Sequence, residues 1–167
     1  MCGDDGMADF ATMQALLDYV RKKVNESLQN EVAENVRETE QKHIISDVYG
    51  VYNPIEYERR LLDGGLMASE NIKGEIVDDM TLQVTNETPA NPYATSQDRV
   101  TIDKNLPELI EYGESYKGYH YDFLYNTAFL NARPFTKNTF EELQQSGSPA
   151  IALVEGLKKR GIQATVI

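Results

Sequence analysis

The chain has 167 residues, of which 41% are hydrophobic and 26% charged, enough for one domain with its own core. Its 16 basic residues stand against 27 acidic ones, and the resulting charge of −11 repels phosphate backbones, which argues against sequence-independent nucleic-acid binding. Cys2 is the single cysteine, so no intrachain disulfide forms, and no apolar run approaches the ~20 residues that span a bilayer.

The opening "MCGDDGMADF" has neither a basic nor an apolar signal region, so residues 1–7 read as a flexible leader, with Met7 an alternative start, and 8–167 as one domain. The expected setting is a reducing cytoplasm, with no membrane contact. From residue 8 to about 46, Phe10, Met13, Leu17, Val20, Val24, Leu28, Val32 and Val36 recur at steps of three and four. This spacing predicts one long amphipathic helix, or two with a kink, with Asp9 as N-cap. At ~1.5 Å per residue it would run to roughly 55 Å, longer than a compact domain of this size is wide. It must therefore bend or lie against a neighbour.

Residues 47–69 are irregular, with Pro54 opening a helical turn, "PIEYERRLL", that Gly64 and Gly65 close. "NIKGEIVDDMTLQVTN" predicts a β-hairpin with an Asp78-Asp79 tip: Ile72, Gly74 and Ile76, then Met80, Leu82 and Val84, form one apolar face. Residues 87–104 contain two prolines and predict a long loop with one short strand at "RVTI". "LPELIEYG" follows as a short helix or strand stopped by Gly113. Residues 114–135 are dense in aromatics, and the period-two spacing of Tyr119, Tyr121, Phe123 and Tyr125 predicts a strand or an extended arm. Two C-terminal helices come next, one with a Thr139–Glu142 capping box, the other with Pro149 in its first turn, basic residues at its end and Gly161 as its stop. "IQATVI" reads as a terminal strand. The fold class is α+β: a long N-terminal helix, a small mainly antiparallel sheet with extended loops, and C-terminal helices.

Few residues offer chemistry. His43 and Asp47 share a helical face and His120 and Asp122 form a second pair, but zinc needs three or four ligands. There is no nucleophile elbow and no phosphate loop, and Cys2 is terminal. No catalytic, cofactor or metal residue is assigned, and an enzyme is not expected. What stands out is 10 tyrosines, 5 phenylalanines and no tryptophan. Tyrosine and arginine are enriched at interface cores, because they bury area with few rotatable bonds and keep a polar tip. The expected interface residues are Tyr49, Tyr52, Tyr57, Arg59, Arg60, Tyr116, Tyr119, Tyr121, Arg133 and Phe135; the alternative is that the tyrosines finish a small core.

The order of long helix, "VYNPIEYERRLLDGGLMASENI", hairpin, "LIEYGESY", "ARPFTKNTFEEL" and basic-ended helix resembles the tail-completion, or head–tail joining, neck proteins of tailed bacteriophages and prophages. In that family a Glu-aromatic-Gly segment leads through a variable arm to an Arg-Pro-Phe that starts a helix; Glu111-Tyr112-Gly113 and Arg133-Pro134-Phe135 match here. Tyr57 to Leu66 looks like the form this region takes in phages of Gram-positive hosts, whereas Glu114 stands where the family often has threonine. The resemblance implies a virion protein without enzymatic activity, made in the host bacterial cytoplasm. It would form a homo-oligomeric ring, commonly sixfold, between the connector or head-closure proteins and the tail tube or terminator. Genome DNA would pass an acidic ring without specific binding. Other readings are a tail-terminator, head-closure or minor capsid protein, an acidic DNA mimic, and a metal-dependent hydrolase built on His43 and His120.

Overall fold

A computed structural model describes residues 10–51, 61–89, 106–113 and 131–166. Its axis is a continuous helix from Met13 to Tyr49: α1 (Met13–Ser27), a π turn (Leu28–Val32), α2 (Ala33–His43) and a second π turn (Ile44–Tyr49). The cap is Thr12, not Asp9; its side-chain oxygen accepts from the Ala15 N–H, and helical geometry begins only after it. In the first π turn the Ala33 N–H reaches back to the Leu28 carbonyl, and in the second the Gly50 N–H reaches Ile45 at 2.7 Å. Each widened turn inserts an extra residue and re-aims the apolar stripe. The buried positions consequently run Ser27, Val32, Ala33, Glu40, Ile44 and Val48, while Met13 and Leu17 stay exposed.

The hairpin lies along this axis. Strands β1 (Ile72–Asp78) and β2 (Thr81–Asn86) pair antiparallel, with Ile72 opposite Asn86 and Ile76 opposite Leu82. Gly74 lets the strand touch the helix, since a Cβ there would lie 2.8 Å from the Ala33 Cβ. The register shifts between Ile76 and Asp78, and Asp78 pairs with Thr81, so the tip is Asp79-Met80 instead of Asp78-Asp79. Met80 therefore leaves the apolar face; it takes φ 58°, is exposed, and its N–H docks on Asn25 Oδ1 at 3.1 Å.

"LPELIEYG" forms α3 (Leu106–Tyr112), ended by Gly113 at φ 65°. The C-terminal helices α4 (Phe135–Ser146) and α5 (Ser148–Lys159) pack back along the axis. Asn138 meets Asp47, Glu142 meets His43, Ser148 meets Asn35, and Arg160 meets Glu31 and Glu26. Thr139 is no capping residue: it is buried mid-helix, and its hydroxyl donates to the Phe135 carbonyl at 2.7 Å. At the end of α5 the Ile162 N–H bonds Leu157 O and the Gly161 N–H bonds Lys158 O, with Gly161 at φ 80°, which is a Schellman stop. Residues 162–166 form no strand. The core gathers Ile44, Val48, Leu66, Ile72, Ile110 and Phe135, where the C-terminal half of the axis meets the hairpin's open end, α3 and α4. The α+β class holds. Residues 1–7 and the "PIEYERRLL" turn up to Arg60 lie outside the described residues, as do "RVTI" and the period-two aromatic stretch.

Candidate functional site

Two segments far apart in sequence are clasped at one end of the molecule. Glu111, in the last turn of α3, accepts from the Thr136 N–H (2.9 Å) and the Lys137 N–H (3.1 Å), the free donors of the first turn of α4. These donors carry the positive end of the helix dipole, so a carboxylate there is doubly favoured. The Arg133 N–H donates to the Ile110 carbonyl at 2.9 Å, and the Arg133 guanidinium reaches the Val48 carbonyl. Phe135 then inserts into the core at 0% exposure. Glu111-Tyr112-Gly113 and Arg133-Pro134-Phe135 are thus halves of one joint.

Beside the joint, a polar cluster ties α2 to α4. His43 Nδ1 lies 3.0 Å from Asp47 Oδ2, and its Nε2 lies 3.0 Å from Glu142 Oε2. Asp47 also accepts from Ser46 (2.6 Å) and Asn138 (2.9 Å), and Lys42 donates to Glu142 at 2.7 Å. Burial opposes the Asp47 charge, but hydrogen bonds from Ser46, Asn138 and His43 outweigh it and hold the carboxyl below its ordinary range. The hydrogen bond and charge of Lys42, helped by His43, hold Glu142 below its range as well. Because the two carboxylates take opposite nitrogens of one ring, the cluster clamps helices together and does not converge on a point. Among the described residues no group of three or more His, Cys, Asp or Glu side chains is placed to hold a metal ion. His120 and Asp122, the second pair considered, lie outside the described residues, as does Cys2.

Of the expected interface residues, Tyr49 is half-buried and packs against the core, Arg133 is half-buried in the joint, and Phe135 belongs to the core. A side chain with no exposed surface in the monomer has none to offer a neighbour, so Phe135 acts through the fold. Tyr52, Tyr57, Arg59, Arg60, Tyr116, Tyr119 and Tyr121 lie outside the described residues. Val51, Leu62, Tyr112 and Phe140, not among the expected interface residues, are 64–68% exposed. Val51 and Leu62 flank residues 52–60, and Tyr112 stands beside the joint from which residues 114–130 start. The adjacent Leu61-Leu62, set between paired arginines and Gly-Gly, was the signal available for that position.

A family model described as YomN matches residues 12–159. The chain belongs to the YomN family. The matched span opens at Thr12, the cap of α1, and closes at Lys159, the last residue of α5, so the YomN unit coincides with the helical frame described above. One relative is the SPbeta prophage-derived uncharacterized protein YomN of Bacillus subtilis (strain 168), 35% identical over 125 residues, which is 75% of this chain and 75% of that one. No solved structure matches the chain. The phage association expected from the resemblance therefore holds at the level of a prophage family. The YomN match carries no neck or tail-completion assignment.

Proposed function

We propose that this protein is a structural component of a tailed-phage particle, forming a ring at the neck that completes the tail, and that it catalyses no reaction. The observation that carries this reading is the Glu111–α4 joint. It ties together the described residues on either side of a stretch whose sequence carries Tyr116, Tyr119, Tyr121, Phe123, Tyr125 and Phe129, side chains of the kind that anchor protein contacts. A prophage-derived relative covering three quarters of the chain supports a place within a particle. Ring closure needs two different faces per subunit, and an elongated subunit with apolar side chains exposed at both Leu17 and Phe140 offers them.

The acidic DNA mimic is less well supported. Such a protein presents a row of free carboxylates, whereas here acids pair with neighbouring bases: Glu31 with Arg160 and Lys159, Glu34 with Arg37, Asp79 with Arg21, Glu87 with Lys73, Glu142 with Lys42. A phage carrying the Tyr57→Ala/Arg60→Ala double variant tests the proposal. Infectious titre should fall by more than about tenfold, with tailless heads accumulating, because truncating interface anchors costs several kcal/mol. Normal titres of tailed particles would count against it.

A further inference from the structure

We propose that Glu40 is a proton-operated latch, which when protonated locks the open end of the hairpin and the 64–71 loop onto α2, and when ionised loosens that joint. Glu40 projects from α2 into the core and is 6% exposed. Its Oε1 accepts from Asn86 Nδ2 at 2.9 Å. The same amide donates to the Leu66 carbonyl at 3.0 Å, while Asn86 Oδ1 takes the Thr88 hydroxyl (2.6 Å) and the Thr88 N–H (3.2 Å). The Thr88 carbonyl in turn accepts the Leu106 N–H at 2.8 Å, and Asn71 Nδ2 closes the loop on the Gly65 carbonyl at 2.9 Å. One carboxyl thus anchors an amide that joins the axis helix, the loop, the end of β2 and the start of α3.

Among the described residues, none is placed to neutralise it. On its own helix, Arg37 is committed to the Ile72 carbonyl and Glu34, Lys42 to Glu142, and His43 to Asp47 and Glu142. On the hairpin, Lys73 pairs with Glu87 at 2.7 Å. From α3 the facing group is Glu111, a like charge. Among the described residues Glu40 has no ion pair, and its hydrogen-bonded partner is a neutral amide. An ionised carboxylate in that setting loses its hydration without a compensating cation, so the site favours the proton. Burial pushes the Glu40 carboxyl above its ordinary range; the Asn86 hydrogen bond offsets part of this and the Glu111 charge adds to it.

The sign follows from linkage. The folded protein binds this proton more tightly than the unfolded chain, so the joint's stability is complete below the ordinary carboxylate range. It is lost as pH rises through the raised folded value. The latch therefore sets how firmly Leu66, the end of β2 and Thr88 are held to α2.

The test compares the purified full-length protein with Glu40→Gln, which keeps the oxygen acceptor for Asn86 and removes the charge. Thermal unfolding is followed from about pH 4 to about pH 9, with amide hydrogen exchange at residues 65–71 and 86–88. Melting temperatures should coincide at the acid end, and Glu40→Gln should gain several degrees over wild type as pH rises. Wild-type protection at those residues, corrected for intrinsic exchange, should fall in the same window while that of α5 holds. A pH-independent difference, or a wild type that becomes the more stable at high pH, overturns the proposal. Should the variant not fold, a carbon-13 titration of the wild-type Glu40 carboxyl decides: a midpoint within or below the ordinary range overturns the latch, and one above it supports it.

Discussion

Glu111 caps a helix to which it does not belong. Its carboxylate satisfies the Thr136 and Lys137 N–H groups from 25 or so residues away in sequence, so one side chain ties the end of α3 to the start of α4. Replacing Glu111 with alanine should cost about 1 kcal/mol of folding stability, as cap removal generally does. Glu111→Gln, which keeps an acceptor but loses the charge–dipole attraction, should cost less. Chemical denaturation of the three proteins checks the order, and equal stabilities would deny the cap. Glu-Tyr-Gly and Arg-Pro-Phe were legible as paired markers in the sequence, but their mutual contact was not. A cap supplied from another element leaves no short-range spacing, and the local Thr139–Glu142 pattern imitated one. The place of Phe135 was not legible for a related reason: an aromatic following Arg-Pro reads equally well as an interface anchor or a core plug, and packing puts this one in the core.

Among the elements, α5 crosses the junction of α1 and the first π turn in close contact. A Cβ on Gly156 would lie 2.8 Å from the Ser27 Cβ and 2.7 Å from Glu31 Oε2, and Ser27 is fully buried there. Glu31 is at the end of a flexible side chain and can give way, whereas the Ser27 Cβ is fixed to its helix. Gly156→Ala brings two opposed effects, a gain of about 1 kcal/mol in helix propensity and an overpacking cost of roughly 1–3 kcal/mol. The second should win. Adding Ser27→Gly removes the atom in the way, so the double variant should be more stable than the sum of the single effects by at least about 0.5 kcal/mol, measured as a double-mutant cycle. Strict additivity would mean the helices do not press together at this point. The 3.6 periodicity announced the long helix, the alternation gave the hairpin, and Pro149 and Gly161 marked α5. The π turns carried no signal, because periodicity assumes a constant number of residues per turn. The same inserted residues moved the stripe off Met13 and Leu17, and the register shift between Ile76 and Asp78 moved the hairpin tip by one position.

At the scale of the whole molecule, one helix on the order of 50 Å long carries the β-hairpin, α3 and the α4–α5 pair, with α3 and α4 joined through Glu111. Ion pairs along its length hold these layers together, notably Arg160 with Glu26 and Glu31. The chain is acidic, with a net charge of −11. The expectation that the long helix must bend or meet a neighbour is answered in part by the π turns, while the apolar side chains left outside at Met13, Leu17, Tyr112 and Phe140 bear on the neighbour. The sequence named tyrosines and arginines as the gripping groups, and most of those lie in residues 52–60 and 114–130, so their use is a matter for assembly experiments. The central claim is that this YomN-family chain builds part of a particle. It is tested most directly by electron microscopy of phage particles from an induced prophage carrying a tag on this chain, labelled with a gold-conjugated antibody. The account predicts gold at the junction of head and tail, and ring-shaped oligomers when the purified protein is imaged alone. Particles without label, from cells in which the tagged protein is plainly made, would contradict it.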